Sequence, residues 1–394
     1  MSFAEHAIIW HIYPLGALGA PIRPEEPIRE VSHRLRGLGT WLDYVVELGC
    51  NAVMCAPVFT SESHGYDTVD FYSVDPRLGD ERDLDEFIAA AEGRGIGIIL
   101  DGVFNHVARS SGYVDLCTGD SFEGHEALME LDHTREEVVD LVSDVMCFWL
   151  DRGIAGWRLD AAYAIDPAFW ARVLPRVRGR HPRAWIVGEM IHGDYAAYVS
   201  ESGIDSVTQY ELWKAIWSSL KEENFYELEW TLSRHNEFLE SFVPQTFVGN
   251  HDVTRIATKV GQNKAVLAAA ILFTVGGTPS IYYGDEQGFT GTKEDRLGGD
   301  DDIRPPLPEK LSPLGEWIHR AYQQLIALRR RHPWLHTAHT EVEDLSNTEI
   351  TYRAIGGDGE WIRVRVSVEP VAVRVSGVDG ETLFEFDGNP AAGS

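Results

Sequence analysis

The chain is poor in cysteine, in basic residues and in long apolar runs, and each shortage excludes something. Only four cysteines occur in 394 residues: Cys50, Cys55, Cys117 and Cys147. They form no CxxC or Cys/His spacing, so no cysteine-based metal site is expected. Cys50 and Cys147 sit in apolar contexts and read as buried free thiols. Basic residues number 34 against 62 acidic ones, a formal charge of -28. That balance argues against nucleic acid and anionic membrane as partners, since both need basic patches. It fits a neutral substrate and a well-solvated surface. No apolar stretch approaches the length of a membrane span; residues 263–275 are apolar but short, and read as a core helix. Residues 1–7 carry Glu5 and no basic group ahead of a long apolar run. No signal peptide is therefore expected, and a cytoplasmic enzyme is the default expectation.

What the chain does have is alternation. Short apolar runs fall at residues 8–13, 52–55, 97–100, 155–159, 185–187, 206–209, 246–248 and 280–283. Helical patterns lie between them, at 38–48, 83–93, 135–151, 167–177, 212–239, 264–273 and 315–331. Asp83 and Thr134 are read as helix caps, Thr134 with Glu137 at capping-box spacing. Eight strands alternating with helices predict an α/β fold, a (β/α)8 TIM barrel, over residues 1–333. After His332-Pro333 the pattern becomes strictly alternating, as in Trp361-Ile-Arg-Val-Arg-Val-Ser-Val. Residues 334–394 are therefore expected to form a small C-terminal antiparallel β domain, with a frayed tail from Gly388. Tryptophans in helical patterns, including Trp41, Trp149, Trp170 and Trp317, read as packing.

Several of the apolar runs end directly at a charged residue. Residues 96–100 lead into Asp101, 185–187 into Glu189, and Phe247-Val248 into Asn250-His251-Asp252. Buried parallel strands that stop at charges gather those charges on one rim of the sheet. Arg158 and Asp160 are two apart on one strand and so share a face. An arginine there is expected to keep Asp160 ionised, as a nucleophile toward a sugar anomeric carbon requires. Glu189 follows an apolar run, which is expected to raise its carboxyl pKa and suit it to general acid work. Asp252 supplies a third carboxylate. Two carboxyl groups flanking a glycosidic bond are the minimum for glycoside hydrolysis.

Taken in order, these segments resemble the signature regions of the α-amylase superfamily, glycoside hydrolase family 13. Asp101-Gly-Val-Phe-Asn105-His106 is similar to its first region and Gly156-Trp-Arg-Leu-Asp160 to its second. Gly188-Glu189 and Phe247-Val-Gly-Asn-His251-Asp252 are similar to the third and fourth. His64-Gly-Tyr66-Asp and Ser280-Ile-Tyr-Tyr-Gly-Asp-Glu286 fit the same family. The resemblance spans roughly residues 8–331. It implies a retaining mechanism on α-linked glucose units, with a covalent glycosyl-enzyme intermediate. Asp160 would be the nucleophile, Glu189 the acid/base and Asp252 the transition-state stabiliser. His106, Arg158 and His251 would surround the reacting sugar, and Tyr66 would stack on it with His64 close by. Asp300 and Arg304 look like a late substrate-contacting pair. Asp101 is placed with the substrate-binding set, with bracing of the barrel rim as its alternative role.

The chain also departs from the family pattern. Only residues 107–133 stand where the family inserts a sizeable domain after the third strand. One wall of the cleft should therefore be missing or donated by a partner subunit, and a homo-oligomer stays open. Tyr163 and Ala164 occupy positions where many members carry Lys and His. The family's calcium site uses that His, and Asn105 alone cannot hold an ion that wants six to eight oxygens. No cofactor is expected, and no calcium at the usual place. The expected activity is hydrolysis of α-1,4-linked malto-oligosaccharides or related α-glucans. A transglycosylase or trehalose-synthase-like isomerising activity is the alternative, and a non-catalytic sugar-binding barrel a weaker one.

Overall fold

Short β-rich runs buried on both sides can satisfy their backbone only by pairing with one another, and here eight of them do so in parallel. The computed structural model describes residues 3–389. The strands are β1 (Ile9–Ile12), β2 (Ala52–Cys55), β3 (Gly97–Gly102), β4 (Gly156–Leu159), β5 (Trp185–Gly188), β6 (Ser206–Val207), β7 (Gln245–Phe247) and β8 (Thr278–Tyr282). They lie side by side in chain order, with β8 returning to pair with β1. β6 holds only two residues, and the seam between it and β7 is closed by a parallel bridge between Thr208 and Gln245. The Gln209 amide reinforces that seam by donating to the Gln245 carbonyl at 2.9 Å. Gly156 is required where β4 meets β5, because a Cβ there would collide with the Trp185 carbonyl.

The helices pack outside this barrel, and two expected caps are reassigned. The helix expected from Asp83 begins at Glu81. Asp80 is its N-cap, accepting from the Asp83 amide at 2.9 Å. Asp83, at the third helical position, returns the bond to the Asp80 amide at 3.1 Å. Thr134 caps nothing, because its hydroxyl donates to Asp132 at 2.6 Å and the helix Glu136–Asp151 starts after Arg135. The helical stretch expected over 38–48 is two short helices, Leu35–Gly39 and Leu42–Leu48.

The C-terminal strands β9 (His339–Leu345), β10 (Glu349–Ile355), β11 (Trp361–Val368), β12 (Val371–Ser376) and β13 (Thr382–Phe386) form an antiparallel sheet in sequence order. Its alternation puts Ile350, Tyr352, Ala354, Ile362, Val364 and Val366 in the core. The Tyr352 hydroxyl meets that of Thr274 at 2.6 Å, and Phe386 stacks on Trp317 at 5.7 Å, so the sheet packs on the last two barrel helices. Most of the frayed tail expected from Gly388 lies outside the described residues.

Arg329 ties these parts together without a carboxylate partner among its hydrogen bonds. It is buried, and it donates to the carbonyls of Phe273 (3.0 Å), Val275 (2.8 Å), Gly277 (2.6 Å) and Leu335 (3.4 Å). Arg329→Met removes a donor from four carbonyls at once, of which that of Leu335 keeps a backbone partner, the Ala338 amide at 3.3 Å. Each buried polar group left unpaired costs about 1–3 kcal/mol, so a loss of roughly 3 kcal/mol or more is expected in urea unfolding. A loss below about 1 kcal/mol would show that the carbonyls find other partners.

Candidate active site

The strand ends deliver their side chains to one pocket of about 450 Å³. His64, Tyr66, His106, Asp160, Glu189, Asp252, Asp300 and Arg304 line it. The other three predicted residues, Asp101, Arg158 and His251, lie beneath that lining and hold it. A larger groove of about 960 Å³ opens among residues at the strand beginnings. Its Asp205 is already engaged by Arg178 at 2.9 Å, and none of the strand-end carboxylates lines it.

Arg158 organises the floor. Its Nη1 donates to Asp101 at 2.6 Å and to Asp160 at 3.1 Å, while Nη2 reaches Glu189 at 2.7 Å. One buried guanidinium thus touches three carboxylates from three strand ends. Glu189 also accepts from the Ala161 amide at 3.1 Å and from the Tyr210 hydroxyl at 3.2 Å. Asp252 stands apart from this set. It is held by Arg304 Nη2 at 3.1 Å and by His251 Nε2 at 2.9 Å. His251 Nε2 also meets the Tyr66 hydroxyl, whose ring stacks on the imidazole at 5.2 Å. The same hydroxyl donates to Asp101 at 3.1 Å. A continuous polar chain therefore runs from Arg304 through Asp252, His251 and Tyr66 to Asp101 and Arg158.

The surroundings of Asp160 and Glu189 differ from those expected from the sequence. Burial pushes Asp160 well above the usual carboxylate range, and the like charge of Glu189 adds to it; Arg158 opposes both without overcoming them. Arg158 does not by itself keep Asp160 ionised, because it is shared with Asp101 and Glu189. Glu189, expected in apolar surroundings, instead faces Arg158, Tyr210 and a backbone amide. The apolar side chains of the preceding strand point elsewhere: Trp185 and Val187 fill a core cluster with Ile9 and Ile99. Burial would also raise Asp252, but His251 and Arg304 outweigh it and hold that carboxyl well below its usual range. Burial lowers His106 to about 4, so its ring is neutral near pH 7.

Sequence reasoning missed several residues around the pocket. Tyr210 opens the helix after β6, and its hydroxyl bridges Glu189 and the Asn250 amide (2.8 Å). Tyr13, one residue past β1, donates to the His64 carbonyl at 2.8 Å and lies under the Arg304 guanidinium. Tyr210 directly follows the apolar run 206–209, which was the available signal for it; Tyr13 ends the run 8–13, where a side chain can face the site or fill the barrel. Lys293 pairs with Asp300 at 3.3 Å on a loop with no periodic signal.

The wall expected to be missing, or donated by a partner, comes from the chain's own short insert. His106–Ala108, Cys117–Ser121 and Leu128–Leu131 form a three-stranded antiparallel sheet. Phe122, Glu123, His125 and Leu128 from this insert line the pocket. Phe122 stacks on His106 at 4.7 Å. Asn105 Nδ2 faces His106 Nδ1 at 3.2 Å. Among the described residues, the only His, Cys and carboxylate ligand atoms that converge as a metal set would are those of His33, Asp80 and Asp83. Asp80 and Asp83 there serve the helix cap described above, and Asp83 is also paired with Arg36 at 2.8 Å.

A closed parallel barrel whose strand C-termini converge on a carboxylate cluster defines a (β/α)8 protein with its site at the usual rim. The chain belongs to the α-amylase family: the family described as "Alpha amylase, catalytic domain" matches residues 30–118 and 121–307. Neopullulanase 2 of Thermoactinomyces vulgaris is 32% identical over 84% of this chain and 63% of its own length. A cyclomaltodextrinase of Geobacillus thermopakistaniensis (strain MAS1) is 29% identical over 76% of this chain and 55% of its own length. A solved cyclomaltodextrinase structure superimposes with a TM-score of 0.80 at 26% identity, covering 93% of this chain and 70% of that one. The chain thus spans between about half and two thirds of the length of these two curated relatives. Among the described residues, no helix is long and apolar enough to cross a membrane.

Proposed function

We propose that this chain is a retaining α-glycoside hydrolase acting on α-1,4-linked malto-oligosaccharides or related α-glucans. The observation that carries the reading is one guanidinium, Arg158, shared between Asp160 and Glu189 at the floor of a sugar-sized pocket. That sharing keeps both carboxyl groups at one point of the pocket, and membership of the α-amylase family supports the retaining mechanism. In this reading Asp160 attacks the anomeric carbon while Glu189 protonates the departing oxygen, then deprotonates the water that resolves the glycosyl-enzyme. Asp252, held anionic, stabilises the oxocarbenium-like transition state. Tyr66, His106 and His251 enclose the reacting sugar, and Asp101 orients Arg158 and Tyr66. His64, Asp300 and Arg304 bind the glycone on the Asp252 side.

No step requires a metal. The Asn105 amide is turned to His106, and Tyr163 and Ala164 offer no imidazole, which supports a site without calcium at the family's usual place. The chain's own insert contributes Phe122, Glu123, His125 and Leu128 to the pocket, which supports a site built within one chain. Four free cysteines support a reducing, cytoplasmic location.

Product chromatography with maltoheptaose tests the reading. Shorter saccharides alone support hydrolysis; longer or rearranged products would make transfer the main activity. The pH profile is a further test. Asp160 must be ionised to attack, and burial with Glu189 raises its pKa. Activity is then lost as pH falls through that raised value. The acid limb of kcat/KM is expected above about 4, the ordinary aspartate value. An acid limb at or below about 3.5 would contradict the assignment.

A further inference from the structure

We propose that His11 is a positioning residue for the Asp252 carboxylate, acting through a buried water that joins its Nε2 to Nδ1 of His251. This rests on the hydrolase reading above, because Asp252 is the group it serves. His11 lies on β1 and is buried. Its ring meets that of His251 edge to face, with the ring centres 5.0 Å apart. His251 Nε2 is committed to Asp252 and to the Tyr66 hydroxyl. Its Nδ1 is buried without a partner among the described residues, and so is His11 Nε2. Two hydrogen bonds of about 2.9 Å each, in series through one water, can span rings at that separation.

The barrel interior is built to hold that water. Ile9, Met54, Ile99 and Val187 belong to one apolar plug contributed by the strands. His11 and Asp101 stand two residues beyond Ile9 and Ile99 on the same strands, so they share the inward face one layer nearer the pocket. Asp101 Oδ1 is buried without a partner among the described residues. So is Gln245 Oε1, on a side chain whose nitrogen reaches the Met54 sulfur at 4.0 Å. Buried polar atoms are rarely left unpaired, and a buried water typically bonds to about three of them. Burial holds the His11 imidazolium far below its ordinary range; His251, Arg158 and Arg255 add to this and Asp252 opposes it. The ring is therefore neutral near pH 7, with one N–H donor and one acceptor. Stacking on Tyr66, 5.2 Å away and within 6° of parallel, fixes the plane of the His251 ring. A half-turn about the Cβ–Cγ bond preserves that plane and carries Nε2 away from Asp252. Bonds at Nε2 and Nδ1 together select the productive orientation, and the water supplies the second.

The test compares wild type, His11→Phe, His11→Leu and His11→Gln in maltoheptaose kinetics, urea unfolding and nitrogen NMR of the His251 ring, assigned with His251→Asn. In His11→Phe, kcat is expected to fall roughly tenfold with KM within about threefold of wild type, the mark of a misaligned group. Its urea midpoint should be unchanged or higher, because an apolar ring replaces a nitrogen that needs a partner. The His251 Nδ1 resonance should move. His11→Leu serves the same comparison if the larger phenyl ring does not fit. His11→Gln can still hold a water, and should restore most of kcat and the wild-type Nδ1 resonance. The proposal is overturned by kcat within twofold of wild type in both apolar variants, or by an unmoved Nδ1 resonance. A folded His11→Gln as slow as His11→Phe, or activity and stability falling together in every variant, overturns it too. If wild type does not cleave maltoheptaose the hydrolase reading fails, while the Nδ1 resonance still decides whether His11 is joined to His251.

Discussion

Glu189→Gln is expected to lower kcat on maltoheptaose by roughly 10²–10⁴-fold, the usual range for a lost general acid or base. The amide keeps the shape of the carboxyl and can still accept from Ala161 and Tyr210, as Glu189 does at 3.1 and 3.2 Å. What it cannot do is deliver a proton to a sugar oxygen that leaves poorly on its own. The deficit should therefore depend on the leaving group. Formation of the glycosyl-enzyme from 4-nitrophenyl α-glucoside needs little protonation, so a burst of nitrophenol should persist in the variant. Steady turnover stays slow because resolution still lacks a base. Pre-steady-state absorbance measures both phases. Equal loss of the burst and of turnover on the two substrates would assign Glu189 to binding or orientation instead.

Arg158→Met carries the largest expected cost in stability. Asp101, Asp160 and Glu189 all contact this one guanidinium, and Asp101 and Asp160 are already raised chiefly by burial. Removing one partner from a buried charge network typically costs about 3–5 kcal/mol, because the remaining charges are left uncompensated. The sign of the pH dependence follows from the carboxylates. Without Arg158 the folded-state pKa values of Asp101 and Asp160 rise further, so protonation relieves the repulsion as pH falls. The stability deficit should be full near pH 7 and smaller near pH 5, in urea unfolding at both. A deficit below about 1 kcal/mol at pH 7, or one that grows on acidification, would mean that the carboxylates are not charged together in the folded protein. Activity should be lost in either case, since the same cation positions Asp160 and Glu189.

Much of this architecture was legible because it repeats. A buried strand of four or five residues leaves a mark that survives without tertiary information. A charge immediately after it marks the rim, which is how Asp101, Asp160, Glu189 and Asp252 were found. Two parts were not legible, for different reasons. Electrostatic state depends on neighbours brought from distant strands. Arg158 seemed to belong to Asp160, two residues away, yet its shortest contact is with Asp101, fifty-seven residues back. The insert failed for lack of any pattern. Phe122, Glu123 and His125 lie in a turn whose shape comes from His106 and Tyr163, not from its own periodicity. Its short length suggested a missing wall, but a three-stranded sheet of few residues is enough to reach the pocket. Caps went wrong by a few residues for a related reason. Asp80 and Asp83 exchange reciprocal bonds, and either one alone looks like the cap.

The central claim is that Asp160 becomes covalently glycosylated. A fluorinated α-glucosyl donor that forms the intermediate quickly and releases it slowly would trap it for intact-mass and peptide-level mass spectrometry. A single added glycosyl mass on the peptide bearing Asp160, absent in Asp160→Asn, is the predicted result. A label on the peptide bearing Glu189 or Asp252, or turnover of the donor with a β-configured product and no adduct, would contradict it.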